Sequence, residues 1–161
     1  MNHTIPITLE DVRALEERTN SNVRLGRYDM GEFSPTKEFD CYKTVLDQSD
    51  LDRLFLLSDF HMMTRTASCK LADVQSGQIP ETSMSRISRD IDLTTLAGCE
   101  IEIVSPSMDD GPLVIVDGNH RVVGHFLNRG TIQDVPAFVC IHRNILVWPH
   151  VPSTARTMSN G

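Results

Sequence analysis

The chain has 161 residues, of which 40% are hydrophobic and 23% charged, the composition of an ordinary soluble domain with one core. Its formal net charge of −7 argues against a broad nonspecific surface for nucleic acid, although a local basic cleft is compatible with it. No apolar run approaches the roughly 18 residues of a membrane span, and the first residues lack the pattern of a signal peptide. We therefore expect a cytoplasmic protein that does not associate with membranes.

The first hundred residues are predicted to be mostly helical. Thr8 and Asp11 indicate the cap of a first helix, Ser34-Pro35 the start of a second, and Ser49 the start of a third. Polar, glycine-containing segments at 20–31 and 75–88 are predicted to be loops or irregular turns. The apolar residues that indicate the helices recur at helical spacing: Leu9, Val12 and Leu15, then Phe39, Tyr42, Val45 and Leu46, then Leu51, Leu54, Phe55 and Met62.

The pattern changes after Gly98. Two short apolar runs, 101–104 and 113–116, flank a turn-rich segment and predict a β-hairpin. A helix follows, with Asn119 at its N-cap and Gly130 just beyond its end. Its apolar positions are Val122, Val123, Phe126 and Leu127.

Residues 135–141 predict another strand, and residues 145–148 a further short one. The predicted fold class is α+β, with one domain spanning 1–161. In this prediction, a helical part at 1–98 packs on a small mixed sheet at 99–148, and 149–161 form a tail.

Four cysteines, Cys41, Cys69, Cys99 and Cys140, are widely spaced and form no C-x-x-C motif. Their even number permits a disulfide framework, as in small secreted proteins. Because no secretion signal is found, we expect all four to be reduced, and buried in the core of a cytoplasmic protein.

The sequence Asp117-Gly118-Asn119-His120-Arg121 lies where a predicted strand turns sharply into a helix. The first amides of a helix have no intrahelical acceptor, and the helix dipole favours an anion beside them. Arg121 adds a fixed cation and His120 a titratable group, so phosphate is the predicted ligand. No lysine lies near this motif and no G-x-x-x-x-G-K-[ST] string occurs, which excludes a lysine-dependent phosphate loop.

Each residue of this motif also has a purely structural interpretation. Arg121 either binds phosphate or pairs with a surface carboxylate, and His120 either assists at the phosphate or is a solvent-exposed polar group. Asp117 either caps the turn or, beside a nucleotide, holds Mg²⁺ or accepts a proton from an attacking hydroxyl. Gly118 is explained first by backbone geometry and second by close approach of a ligand.

The order of elements around this motif resembles the ParB/sulfiredoxin-like superfamily over residues 100–141: a strand, Asp117-Gly118, His120-Arg121 at a helix start, a glycine-ended helix, and a strand beginning at Val135-Pro136. Sulfiredoxins carry Gly-Cys-His-Arg; here Asn119 stands at the cysteine position, which excludes sulfiredoxin chemistry. Partition ParB proteins have a Gly-Glu-Arg-Arg string and a later helix-turn-helix that binds DNA. This chain lacks that string, and too few residues follow position 141 to form the helix-turn-helix. The nearest local match is the Asp-Gly-His-Thr-Arg string of the free serine kinases, to which Asp117, Gly118 and Arg121 correspond.

The resemblance implies a protein that binds ATP or CTP with Mg²⁺. Its activity would be nucleotide hydrolysis or phosphoryl transfer to a small-molecule or protein acceptor that the sequence does not identify. Gly118, Asn119, His120 and Arg121 would bind the nucleotide, Asp117 and His120 would be catalytic, and Asp117 would hold the metal. Two hypotheses from other classes stay open: a ParB-like nuclease or DNA-directed factor of a mobile element, which the acidic charge disfavours, and a non-catalytic protein-interaction factor that retains the fold.

Overall fold

The structure, a computed structural model, describes residues 1–8, 10–12, 14, 39–60, 64–85, 87, 91–95 and 98–158. A six-stranded mixed sheet with helices and short 3-10 segments around it places the chain in the α+β class. The strands are Asn2–Ile7 (β1), Asp40–Val45 (β2), Leu54–Phe55 (β3), Ile101–Ser105 (β4), Leu113–Asp117 (β5) and Pro136–Ile141 (β6). Helices span Glu81–Met84 (α1), Asn119–Arg129 (α2) and Ser153–Met158 (α3), and 3-10 helices span Gln48–Arg53, Ser58–Phe60, Leu71–Asp73, Ser76–Gln78 and Ile145–Val147.

The strand order across the sheet is β1-β2-β6-β4-β5-β3. β4 and β5 are antiparallel, as the predicted hairpin requires, and β6 runs parallel to β4 and antiparallel to β2. β3 adds to the other side of β5 in the parallel direction. Every residue of β4 is buried, as expected for a strand that is covered on both faces of a sheet.

The two faces of the sheet belong to two separate hydrophobic cores. Successive side chains of a strand point to opposite faces, so Ile103 and Ile115 join one core while Val104 and Val114 join the other. α2 covers the first core through Val122 and Val123. The second core is closed by C-terminal residues, among them Ile145, Trp148, Val151 and Ala155.

The prediction of a helical N-terminal half is wrong. The supposed second helix, through Tyr42 and Val45, is strand β2, which pairs with β1 on one side and β6 on the other. The helical spacing of its apolar residues did not follow burial, because Cys41 and Thr44 are the buried positions of the strand. Pairing along both edges outweighs local periodicity here, and a β-branched residue such as Thr44 suits a strand.

The first predicted helix is confirmed where the structure describes it. Residues 10–12 and 14 are helical, and Val12 is fully buried. The backbone N–H of Asp11 donates to the Thr8 hydroxyl over 3.1 Å, and the Thr8 N–H donates to the Asp11 carboxylate over 2.9 Å. These reciprocal bonds are a capping box. Leu9, Leu15, the loop at 20–31 and the start predicted at Ser34-Pro35 lie outside the described residues.

The third predicted helix is a single 3-10 segment, Gln48–Arg53, followed directly by β3. Its N-cap is Asp47 rather than Ser49: the Asp47 carboxylate accepts the N–H of Ser49, and the Asp47 N–H donates to Asp50. The helix ends early because Leu54 pairs with Leu113 of β5. Met62 lies outside the described residues.

The amino group of Met1 lies 3.0 Å from the Asp47 carboxylate and 2.9 Å from that of Asp50. Burial lowers the pKa of this amino group, but hydrogen bonds and charges from the two aspartates outweigh burial and raise the pKa above 8.0. Hydrogen bonds from the Ser49 hydroxyl and then from the amino group lower the pKa of Asp47 from 3.8 to about 2. The start of β1 is thereby tied to the first turn after β2.

Two predictions at the C-terminal end are also wrong. Residues 145–148 are not a strand, since Ile145–Val147 form a 3-10 helix, and the supposed tail contains α3. Trp148 and Ala155 are buried, so this segment is ordered by the apolar face of the sheet that it covers. In its described part, the segment 75–88 contains a short 3-10 turn, which agrees with the predicted irregular turns, and the short helix α1, which was not predicted.

The cysteines depart from the expectation of four reduced thiols. Cys41 of β2 and Cys140 of β6 are register partners and form a disulfide, while Cys69 and Cys99 are free. The two partners are 99 positions apart in sequence, so their pairing depends on a strand neighbourhood that spacing does not reveal. Among the described residues, no helix is long and apolar enough to cross a bilayer.

Candidate functional site at the junction of β5 and α2

The junction between β5 and α2 is made by Gly118, which has a left-handed backbone with φ 88° and ψ 15°. Gly118, not Asn119, is the N-cap of α2, since Asn119 is already the first helical residue. A Cβ atom at Gly118 would lie 2.8 Å from Cγ2 of Ile101 and 3.0 Å from Nη2 of Arg121. Both the left-handed conformation and the close packing therefore require glycine.

Asn119 fixes the junction in the interior. Its side chain is only 3% exposed; Nδ2 donates to the carbonyl of Ile115 over 3.0 Å, and Oδ1 accepts the N–H of Leu57 over 3.4 Å. These bonds tie the first turn of α2 to β5 and to the segment after β3. The amide side chain is thus occupied structurally, and only the backbone N–H of Asn119 suits the predicted ligand contact.

Asp117 and Arg121 form an ion pair across the first turn, with 3.1 Å between Oδ2 and Nη2. The Asp117 side chain is 14% exposed and that of Arg121 24%, so both reach the surface at the same end of α2. A cation in the first turn opposes the helix dipole, and the carboxylate offsets that cost. A guanidinium has five N–H donors, so contact through Nη2 does not exhaust its capacity.

His120 follows in the same first turn. It is half-buried, and its Nε2 atom is shielded from solvent. The structure therefore places Asp117, Gly118, His120 and Arg121 together at the start of α2, as the sequence predicted. His125, five positions later, is buried nearer the other end of the helix.

Glu102 was not singled out in the sequence. It is buried in β4 and is the register partner of Asp117, at a point where the β4–β5 register shifts as in a β-bulge. Bulges often occur beside functional sites, where they redirect a side chain. The signal in the sequence was a single acidic residue inside the apolar run Ile101-Glu102-Ile103-Val104.

The carboxylates at this end of the hairpin are compatible with Mg²⁺. Within the described ranges, no group of three or more histidine, cysteine, aspartate or glutamate side chains is placed to hold a metal ion. Mg²⁺ commonly binds through one or two carboxylates together with substrate phosphates. Asp117, which is partly exposed, fits that role.

Comparisons with known proteins give no family. No family model, curated protein or solved structure matches the chain. The ParB/sulfiredoxin-like resemblance therefore remains a prediction that rests on the motif from Asp117 to Arg121 and on the order of elements around it.

The far end of α2 is held by a second polar cluster. Nη2 of Arg129 lies 2.7 Å from Asp92, and the N–H of Leu93 donates to Nδ1 of His125 over 3.1 Å. His125 is 1% exposed; burial, together with the charge of Arg129, lowers its pKa against the opposing effect of Asp92. Gly130 then ends the helix with φ 67°, and its N–H donates to Phe126.

A cavity of about 360 Å³ lies along α2 between these two ends. Its described walls come from α2, from the 3-10 turn Ser76–Gln78 and from α1, and none of these described lining residues is charged. The lining residues are Ser76, Gly77, Met84, Gly124, Leu127 and Asn128.

Proposed function

We propose that the chain binds a nucleoside triphosphate, ATP or CTP, at the junction of β5 and α2, and that it transfers or hydrolyses the terminal phosphoryl group. The observation that carries this proposal is the guanidinium of Arg121, partly exposed in the first turn of α2 above the left-handed Gly118. A helix start with an added cation attracts phosphate through both its amides and its charge.

The roles of the residues follow from their contacts. Backbone amides of the first turn, including that of Asn119, donate to phosphate oxygens, and Arg121 neutralises their charge. His120 lies beside them and can donate to an oxygen or carry a proton. Most of the rate enhancement would come from positioning and charge neutralisation, as is usual for phosphoryl transfer.

Asp117 has a second role in this proposal. In the structure its Oδ2 atom is engaged by Arg121. A bound phosphate would compete for the guanidinium, and the Asp117 carboxylate would then be available to hold Mg²⁺ or to accept the proton of an attacking hydroxyl or water. When bound, Mg²⁺ supplies charge neutralisation at the phosphate oxygens.

Isothermal titration calorimetry with ATP and CTP, each with and without Mg²⁺, tests the proposal. Arg121→Ala should weaken binding by about 10- to 100-fold, since hydrogen bonds to charged groups are each worth about 1.5–3 kcal/mol. Arg143→Ala is the matched control, because Arg143 is exposed and lies outside the junction. Equal affinity for the wild type and Arg121→Ala would remove the basis of the proposal.

Two further measurements separate the other classes of function. Release of phosphate from ATP or CTP supports turnover at this site. Salt-sensitive binding of DNA without nucleotide binding would instead favour the DNA-directed hypothesis, since contacts to DNA phosphates release counterions. Binding of neither ligand would leave a non-catalytic interaction factor.

A further inference from the structure

The cavity along α2 lies on the same side of the helix as the first-turn residues of the junction. At about 100° per residue, His120, Arg121, Gly124, Leu127 and Asn128 all fall within a sector of about 120° of the helix circumference. With a rise of 1.5 Å per residue, Asn128 lies about 10 Å along the axis from Arg121. A nucleotide is long enough to cover that distance.

The chemistry of the cavity differs from that of the junction. The helix start gathers Asp117, His120 and Arg121, whereas the lining residues that the structure describes are uncharged. Gly124 presents bare helix backbone to the cavity, so a flat group can approach α2 closely. Met84 offers a polarisable sulfur, which makes favourable contacts with aromatic rings.

Two polar side chains complete the wall. The amide of Asn128 has both donors and acceptors, which suits the edge of a heterocyclic base, and the hydroxyl of Ser76 can donate or accept. A volume of about 360 Å³ is at the lower end of the range for small-molecule sites. The described lining and the size both fit an uncharged ring system with a sugar.

We propose that this cavity binds the nucleoside moiety of the nucleotide whose phosphates lie at the start of α2, with Asn128 contacting the base. This inference rests on the proposed function. It adds that α2 is the floor of one continuous site, charged at its first turn and lined farther along the helix by the uncharged residues Gly124, Leu127 and Asn128.

Gly77→Phe is the main test variant. Gly77 is exposed, a Cβ added there meets nothing within 4 Å, and its φ does not favour glycine, so the side chain can be added at the cavity wall without backbone strain. Asn128→Leu removes the amide at nearly constant volume. Thr157→Phe is the control for an added aromatic ring at the surface, because Thr157 is an exposed residue of α3, on the opposite face of the sheet.

Calorimetry with three probes, ATP, inorganic tripolyphosphate and adenosine, measures the two halves of the site separately. The wild type should bind ATP more tightly than tripolyphosphate. Gly77→Phe and Asn128→Leu should each weaken ATP by at least about tenfold and leave tripolyphosphate unchanged, whereas Arg121→Ala should weaken both. Thr157→Phe should bind all three probes as the wild type does.

The outcomes distinguish failure of this inference from failure of the proposed function. If both cavity variants bind ATP like the wild type while Arg121→Ala does not, the nucleoside lies elsewhere and the phosphate site stands. If the wild type binds neither ATP nor tripolyphosphate, the proposed function fails. If, in that case, the wild type binds adenosine and Gly77→Phe abolishes this binding, the cavity alone is supported as a nucleoside site. If the wild type does not bind adenosine either, both the proposed function and this inference are overturned.

Discussion

Replacement of Gly118 by alanine should destabilise the protein more than the same replacement at a left-handed glycine whose surroundings are open. The left-handed backbone costs an alanine about 1–2 kcal/mol. The added Cβ would also lie 2.8 Å from Cγ2 of Ile101, which is fully buried in β4 and has no space to retreat. Overpacking of this kind costs about 1–3 kcal/mol, so we expect the free energy of unfolding to fall by about 2–5 kcal/mol in total.

Gly130→Ala isolates the steric part of that loss. Gly130 also has a left-handed backbone, with φ 67°, but a Cβ there meets nothing within 4 Å. Its replacement should therefore cost only the conformational term, about 1–2 kcal/mol. The gain from a less flexible unfolded chain applies equally to both variants and cancels in their difference.

Urea denaturation followed by circular dichroism gives both free energies of unfolding. The same Cβ at Gly118 would lie 3.0 Å from Nη2 of Arg121, so Gly118→Ala should also disturb the pair with Asp117 and weaken nucleotide binding. Equal destabilisation by Gly118→Ala and Gly130→Ala would refute the close packing of the junction against β4.

Three further predictions concern the disulfide and two titrating groups. Reduction of the Cys41–Cys140 disulfide should lower the free energy of unfolding by about 2–4 kcal/mol, because the bond closes a long loop in the unfolded chain; denaturation with and without a phosphine reductant measures this. His125 has a lowered pKa, so the folded state binds fewer protons; stability should be complete above pH 6.5 and fall as the pH drops from there through the folded pKa. Asp47 has a pKa lowered to about 2, so the stability it contributes should be present above pH 3.8 and be lost between pH 3.8 and about 2, as acid titrations of the wild type and Asp47→Asn will show.

Each of these predictions has its own control. The double variant Cys41→Ala/Cys140→Ala should be insensitive to the reductant, and a reductant effect of the same size in it would locate the cause elsewhere. His125→Asn keeps an acceptor for the N–H of Leu93 but does not titrate, so the stability of this variant should depend less on pH below 6.5; an unchanged dependence would contradict the assignment. Parallel acid curves for the wild type and Asp47→Asn would exclude the Met1–Asp47 contact as a source of stability.

The sequence predicted those elements whose partners are close along the chain. β4, β5 and α2 follow one another within residues 101–129, and each has a local signal: apolar runs, a turn cluster and a terminal glycine. The same locality brought Asp117, Gly118, His120 and Arg121 together correctly. The structural role of the Asn119 side chain could not be predicted from such local signals, because one of its two hydrogen bonds is with Leu57, 62 positions earlier.

Apart from β6, whose apolar run at 135–141 was predicted as a strand, elements defined by distant partners were not predicted. β2 is a strand because β1 and β6 flank it, although its own apolar spacing resembles that of a helix. The 3-10 segment at Ile145–Val147 and α3 are ordered by the apolar sheet face that they cover, and neither has a strong local pattern. The cavity along α2 is lined by three segments that are separated in sequence, so no local motif could predict it.

The position of β6 sets the order in which the sheet can be completed. It is the last strand in sequence among the described residues, yet it lies in the middle of the sheet, between β2 and β4. On the ribosome, Cys41 emerges 99 residues before Cys140, and throughout that interval β2 lacks its partner on one edge. An unpaired strand edge is a feature through which nascent chains aggregate, so the risk of aggregation through β2 should fall only once β6 has been synthesised.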